Sequence, residues 1–223
     1  MNILVIGESC RDIFSYGECN RLCPEAPVPV FNSIKDNESG GMAMNVKSNL
    51  QALGADVNIH TNSNWKNITK TRFIDVKTNH MFMRLDCNDT NYKKARIKNI
   101  NFDSYDAVVI SDYNKGFLKE EDIEFICSKH NCTFLDTKKF LGDWCRNIKF
   151  IKINIYEYNK TKKFIDKELE QKMIITMGSE GCKFNDVIYP VPEVEIKDVS
   201  GAGDTFVAGL CYEYVRTKNI EAS

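Results

Sequence analysis

The chain has 223 residues, 43% of them hydrophobic and 27% charged, with a formal net charge of −1. That length is enough to bury one full core, and a near-neutral balance with lysine and arginine spread along the chain carries no footprint for nucleic acid or an anionic membrane. No apolar run is long enough to span a bilayer, and Met1–Gly7 is too short and lacks the basic flank of a signal peptide, so the expected setting is cytoplasmic. Nine cysteines without a C-x-x-C pair, and three isolated histidines, are expected to be reduced thiols and surface rings rather than a zinc centre.

In chain order, Asn2–Ile6 is an apolar run ending at Gly7, as expected of a buried parallel strand entering a loop. Pro24-Glu25-Ala26-Pro27-Val28-Pro29-Val30-Phe31 cannot be helix and is expected to be an extended edge strand. The spacing predicts a helix over Met44–Leu53 before Gly54. A connection over Asn62–Lys70 follows, then a hairpin of Arg72–Val76 with Met81–Leu85. Apolar runs recur at Ala107–Ile110, Cys132–Leu135, Phe150–Ile153 and Met173–Thr176, each ending in a polar residue or glycine, with a helix expected over Lys119–His130. This alternation predicts a doubly wound α/β sheet, whose ligands bind at the carboxyl ends of its strands. The proline-rich segment and the hairpin form a small β flap beside it, with lid elements around residues 14–34 and 71–86 of a single domain.

The most informative segment is Asp198-Val199-Ser200-Gly201-Ala202-Gly203-Asp204-Thr205-Phe206, a small-residue turn running into a helix with apolar Val207, Ala208 and Leu210. Gly201 and Gly203 let the backbone approach a ligand, and the N–H groups opening the helix suit an oxyanion or phosphate. Asp204 is placed to take a proton from a hydroxyl whose acceptor phosphoryl sits over those groups, the pairing that phosphoryl transfer to an alcohol requires. Alone, a G-x-G-D is a capped glycine turn.

With that segment in place, the chain resembles the ribokinase-like (PfkB) carbohydrate kinases. Arg21-Leu22-Cys23-Pro24-Glu25-Ala26-Pro27-Val28-Pro29-Val30 resembles a segment of the heptose-7-phosphate kinases within them. So do Arg84-Leu85-Asp86, Ser111-Asp112-Tyr113-Asn114-Lys115-Gly116 and Asp136-Thr137-Lys138. The resemblance implies a ribokinase-like fold and an ATP- and Mg²⁺-dependent phosphoryl transfer to a sugar hydroxyl, above all the anomeric hydroxyl of a heptose 7-phosphate. It assigns Asp204 as base, with Gly201, Ala202 and Gly203 as the anion hole. Asp12, Gly40, Gly41 and Asn45 would hold the sugar. Arg84, Lys115 and Lys138 are the cations available for a phosphate the sugar already carries, and Arg84 and Lys138 are assigned to substrate. Asn154, Thr176, Gly178 and Gly181 would border the nucleotide, and Glu157 would reach Mg²⁺ through water. The small-molecule sugar is the expected partner, together with a second copy paired through the flap. Departures are Glu8 where the family has aspartate, a fold shortened internally at Asn62–Lys70, and a C-terminus at Ser223 short of the helices that close the family's adenine pocket. These keep two alternatives open, a sugar-phosphate-binding protein with weak turnover and a kinase of another sugar or nucleoside.

Overall fold

In a computed structural model, which describes residues 1–192 and 200–223, the chain folds into two sheets flanked by helices. The elements run β1 (Asn2–Gly7), β2 (Ser9–Leu22), β3 (Pro29–Met42), α1 (Ala43–Ala52), β4 (Asp56–His60), β5 (Thr69–Asp75), β6 (Met81–Cys87), β7 (Ala107–Asp112), α2 (Glu120–Lys129), β8 (Thr133–Thr137), β9 (Phe150–Asn154), α3 (Ile155–Thr161), α4 (Lys167–Glu170), β10 (Met173–Thr176), β11 (Cys182–Phe184), β12 (Val187–Tyr189) and α5 (Ala202–Thr217).

The larger sheet has the order β12-β11-β10-β9-β8-β7-β1-β4, parallel from β4 to β10 and antiparallel at the β11 and β12 edge. Its strands alternate between two buried faces, as the period of two requires. Leu4 and Ile6 join Val108, Ile110, Leu135 and Ile151 under Ile123 and Ile126 of α2. Ile3 and Val5 join Val57, Val109 and Phe134 under Ala43, Val46 and Leu50 of α1 and Val207, Ala208 and Cys211 of α5. The expected doubly wound sheet is present, and every predicted strand and helix of it lies where the apolar runs placed it. Phe134 is 1% exposed, with ring contacts to Phe150 at 5.4 Å and Tyr214 at 5.8 Å between centroids. Phe134→Ala should therefore lower unfolding stability by about 3–5 kcal/mol, read from a denaturant midpoint with unchanged slope.

Strand order reverses between β1 and β7, because β4 lies on one side of β1 and all later strands lie on the other. The crevice at their carboxyl ends is where such a sheet opens to a ligand. There the chain leaves β1 through Glu8 alone and enters the second sheet, of order β3-β2-β5-β6. It returns along β3 directly into α1, where the Ala43 N–H donates to the Glu8 carbonyl at 2.9 Å. The expected flap is thus real but larger than a hairpin and an edge segment, since β2 and β3 each have 14 residues. One expectation is corrected: Pro24–Pro27 is the bend between β2 and β3 rather than an extended strand. Cys23 N donates to the Val28 carbonyl at 2.8 Å and closes that bend, and the strand begins at Pro29, the first-residue position that tolerates proline. The predicted hairpin forms as β5 and β6, with the Asp75 carboxylate accepting from Lys77 N and Thr78 N, each at 2.8 Å.

Candidate active site

Asp204 stands in the first turn of α5, which follows Gly201 in the left-handed conformation at φ 76°. Its carboxylate is buried and held at both oxygens. Oδ2 accepts from Asn45 Nδ2 at 3.0 Å, and Oδ1 accepts from the Tyr113 hydroxyl at 2.9 Å. Burial raises its pKa above the ordinary carboxylate range, and the two hydrogen bonds pull it back. The carboxylate is thus poorly solvated yet held by two donors, the kind of setting in which a general base is placed.

Two cavities meet at Asp204. The first, of about 190 Å³, includes Asp12, Gly41, Asn45, Lys70, Arg72 and Arg84 in its lining. Of the residues expected to hold a sugar, Asp12, Gly41 and Asn45 line it, whereas Gly40 lies outside it, its Cα hydrogens turned toward Met44. Asp12 is already paired with Arg72, whose guanidinium lies 4.9 Å above the Phe14 ring, so an arriving hydroxyl meets a pre-oriented ion pair. Arg84 forks onto Asp86 at 2.7 and 2.8 Å. Lys115 is turned away, onto Asp89, which also takes Lys70 at 3.0 Å. Burial pushes the Cys10 thiol on the wall up to about 11, leaving it a neutral surface.

Glu8 does not reach this cavity's lining. It is fully buried beneath the switch point, where its carboxylate accepts from Tyr113 N at 2.9 Å and Lys115 N at 3.0 Å. Burial, with the Asp112 charge beside it, raises its pKa. Its task is to shape the loop that presents Tyr113. Because the Tyr113 hydroxyl lowers the pKa of Asp204, Tyr113→Phe should move the acid limb of any turnover that uses this carboxylate as a base to higher pH, whereas a packing role alone leaves the limb in place.

The second cavity, of about 410 Å³, shares Tyr113, Gly201 and Asp204 with the first and adds Asp136, Lys138, Lys152, Asn154, Thr176, Gly178 and Gly203. Lys138 lies here, 5.6 Å over the Tyr113 ring, so the structure puts it on the opposite side of Asp204 from the sugar-side residues with which it was grouped. Asn154 and Glu157 form a capping box at the start of α3, with Glu157 N donating to Asn154 Oδ1 at 2.8 Å and Asn154 N to Glu157 Oε2 at 2.9 Å. The other Glu157 oxygen takes the Lys138 ammonium, so this acid stands behind the cavity wall. Asp136 does line the cavity, and its buried Oδ1 has no hydrogen-bond partner among the described residues. Thr176 and Gly178 border the cavity, while Gly181 lies in the connection from β10 to β11, close against the Tyr189 carbonyl at the end of β12. Ala202 opens α5 between the two glycines. Asp198 and Val199 of the glycine segment lie outside the described residues.

Residue-type reasoning passed over Lys70, Arg72 and Lys152, and it quoted Tyr113 and Asp136 without a role. Lys152 had a signal, since a lysine between Ile151 and Ile153 contradicts a fully buried strand unless something charged meets it.

Residues 149–223 match the family described as pfkB family carbohydrate kinase. The bifunctional protein HldE of Nitratiruptor sp. is 30% identical over 270 aligned positions, covering 98% of this chain and 58% of that protein. The chain thus spans under two thirds of that relative, and the alignment is longer than the chain itself, so the relative has internal segments that this chain lacks. Among solved structures, the nucleoside kinase of Methanocaldococcus jannaschii superposes with a TM-score of 0.69 at 16% identity, over 99% of this chain and 86% of that one. Ribokinase from Thermotoga maritima superposes with a TM-score of 0.65 at 16% identity, over 98% and 87%. Both comparisons place the fold as ribokinase-like, over 98% of the chain or more.

Proposed function

This chain carries a carbohydrate kinase domain of the pfkB family, and we propose that it moves the γ-phosphoryl group of ATP to a sugar hydroxyl, the anomeric hydroxyl of a heptose 7-phosphate. The observation that carries the reading is that the candidate base, Asp204, is the shared wall of two cavities. The smaller takes the acceptor and the larger the donor. Asp12 and Asn45 orient the sugar, and Lys70, Arg72 and Arg84 surround it with the positive charge that a phosphorylated sugar requires.

In this reading the acceptor hydroxyl gives its proton to the Asp204 carboxylate as its oxygen bonds to the γ-phosphorus. The bond from that phosphorus to the bridging oxygen breaks, and its electron pair leaves on ADP. Thr205 N makes the first intrahelical bond of α5, to the Gly201 carbonyl at 2.9 Å. Gly201 and Gly203 line the donor side, and free N–H groups at this helix start would stabilise charge developing on the transferred group. Asp136, whose buried Oδ1 makes no hydrogen bond among the described residues and lies 3.9 Å from Lys138 Nζ, would fit a magnesium ion that keeps most of its water, with Glu157 behind it. Magnesium bound there would neutralise polyphosphate charge. Nucleotide would lie along Thr176 and Gly178.

The segment Arg21–Val30 supports the heptose assignment, and within it Leu22, at the end of β2, and Val28, just before β3, have exposed side chains. We take the second sheet as the lid of a single kinase domain working in the cytoplasm. Ile34 on one edge strand and Met81, Phe82, Met83 and Leu85 on the other are also exposed, apolar edges that suit pairing with a second copy. Light scattering should give the mass of a dimer at micromolar concentration, and a monomer across that range would remove the pairing. The reaction itself is tested by following ATP-to-ADP conversion with Mg²⁺ and D-glycero-D-manno-heptose 7-phosphate beside a sugar-free control, with ³¹P NMR of the product. Sugar-dependent conversion and a new anomeric phosphate are expected, and conversion indifferent to sugar would overturn the reading.

A further inference from the structure

Lys152 is a lysine on a central strand. It lies on β9, its side chain is 4% exposed, and its ammonium makes one hydrogen bond among the described residues, to Asp136 Oδ2 at 2.8 Å. An ammonium has three protons to donate, so the pair leaves donor capacity unused. A buried ion pair is a poor way to stabilise a core, because desolvation offsets most of the attraction, and apolar replacements are often neutral or better. The position of the ammonium gives it another use. A Cβ built on Gly203 would fall 2.7 Å from Lys152 Nζ, so the cation lies directly against the first turn of α5, in the space that glycine leaves open. A cation at the positive end of a helix needs an anion beside it; Asp136 Oδ2, 3.8 Å from the same point, supplies one, and the open cavity leaves room for a second. Both Lys152 and Gly203 line the larger cavity.

We infer that Lys152 is a ligand of the donor polyphosphate, reaching the transferring phosphoryl group from inside the sheet through the gap at Gly203, with Asp136 holding the ammonium in place until the anion arrives. The inference rests on the donor-cavity assignment made above. It also explains why the residue next to the candidate base has no side chain, since a methyl group on Gly203 would displace the cation.

Metal-free inorganic tripolyphosphate, titrated calorimetrically into the whole chain, tests this without turnover. The variants are Lys152→Met against the parent and Lys152→Met with Asp136→Asn against Asp136→Asn alone. The double variant removes both buried charges and its reference keeps only the Lys152 ammonium, which lines the open cavity, so this comparison stands even if the lone Asp136 carboxylate of Lys152→Met prevents folding. Each comparison should show roughly a 10- to 100-fold weaker affinity, the worth of a charged hydrogen bond, with sugar phosphate affinity unchanged. Tripolyphosphate affinity within about threefold in the second comparison would overturn the role of Lys152 and leave the kinase reading intact. A parent that binds sugar phosphate but no tripolyphosphate would overturn the donor cavity and the inference together.

Discussion

Asp204→Asn should lower kcat by about 10²- to 10⁴-fold, the range that a positioned general base contributes, while sugar affinity stays within about twofold. The split follows from geometry. Asn is isosteric with Asp, so the Asn45 and Tyr113 contacts on either side of the residue can be kept by rotating the amide and the phenol hydroxyl. What is lost is the ability to accept a proton. A carboxyl whose folded pKa is raised by burial favours folding at low pH, and that contribution disappears as pH rises through the folded pKa. Removing the charge should therefore raise Tm relative to the parent at neutral pH and lose this advantage in acid. Stability rising as kcat collapses would separate chemistry from folding. Equal losses of kcat and sugar affinity would instead make Asp204 a helix cap.

The division between what the sequence discloses and what it conceals follows the range of the interactions. Strands were legible because a parallel sheet buries both faces, so runs such as Ala107–Ile110 have no competing interpretation. The glycine turn was legible because Gly201, Gly203 and Asp204 are neighbours in the chain. The sharing of Asp204 between two cavities was not, because Tyr113 and Asn45 reach it from 91 and 159 residues away. Nor was the side of the site on which a cation falls. Lys138 and Arg84 are both basic residues at strand tips or edges, and only the strand order puts one with the donor cavity and the other with the acceptor. Glu157 shows the opposite hazard: N-x-x-E is also a capping box, whose backbone N–H takes one carboxylate oxygen while Lys138 takes the other, so the motif alone does not single out a metal role.

Gly201→Ala carries the second large effect, through two separable costs. Gly201 holds φ 76°, where an L side chain costs about 1–2 kcal/mol. That part should appear as lost stability, insensitive to substrate. The second cost falls on the reaction: a Cβ at this position comes within 2.6 Å of Asn45 Nδ2, the donor that fixes Asp204 Oδ2. Asn45 must move, and with it the carboxylate. Misplacement of a reacting group by about an ångström is worth on the order of 100-fold in rate, so kcat should fall by at least that much. A double-mutant cycle separates the two costs, because Asn45→Ala removes the atom that the new methyl group meets. In that background Gly201→Ala should still lose its 1–2 kcal/mol of stability, but most of its further effect on kcat should vanish. If the rate losses instead simply multiplied, Gly201 would act on the phosphoryl group through its backbone alone, and the contact between the two halves of the site at Asn45 would play no part in placing the base.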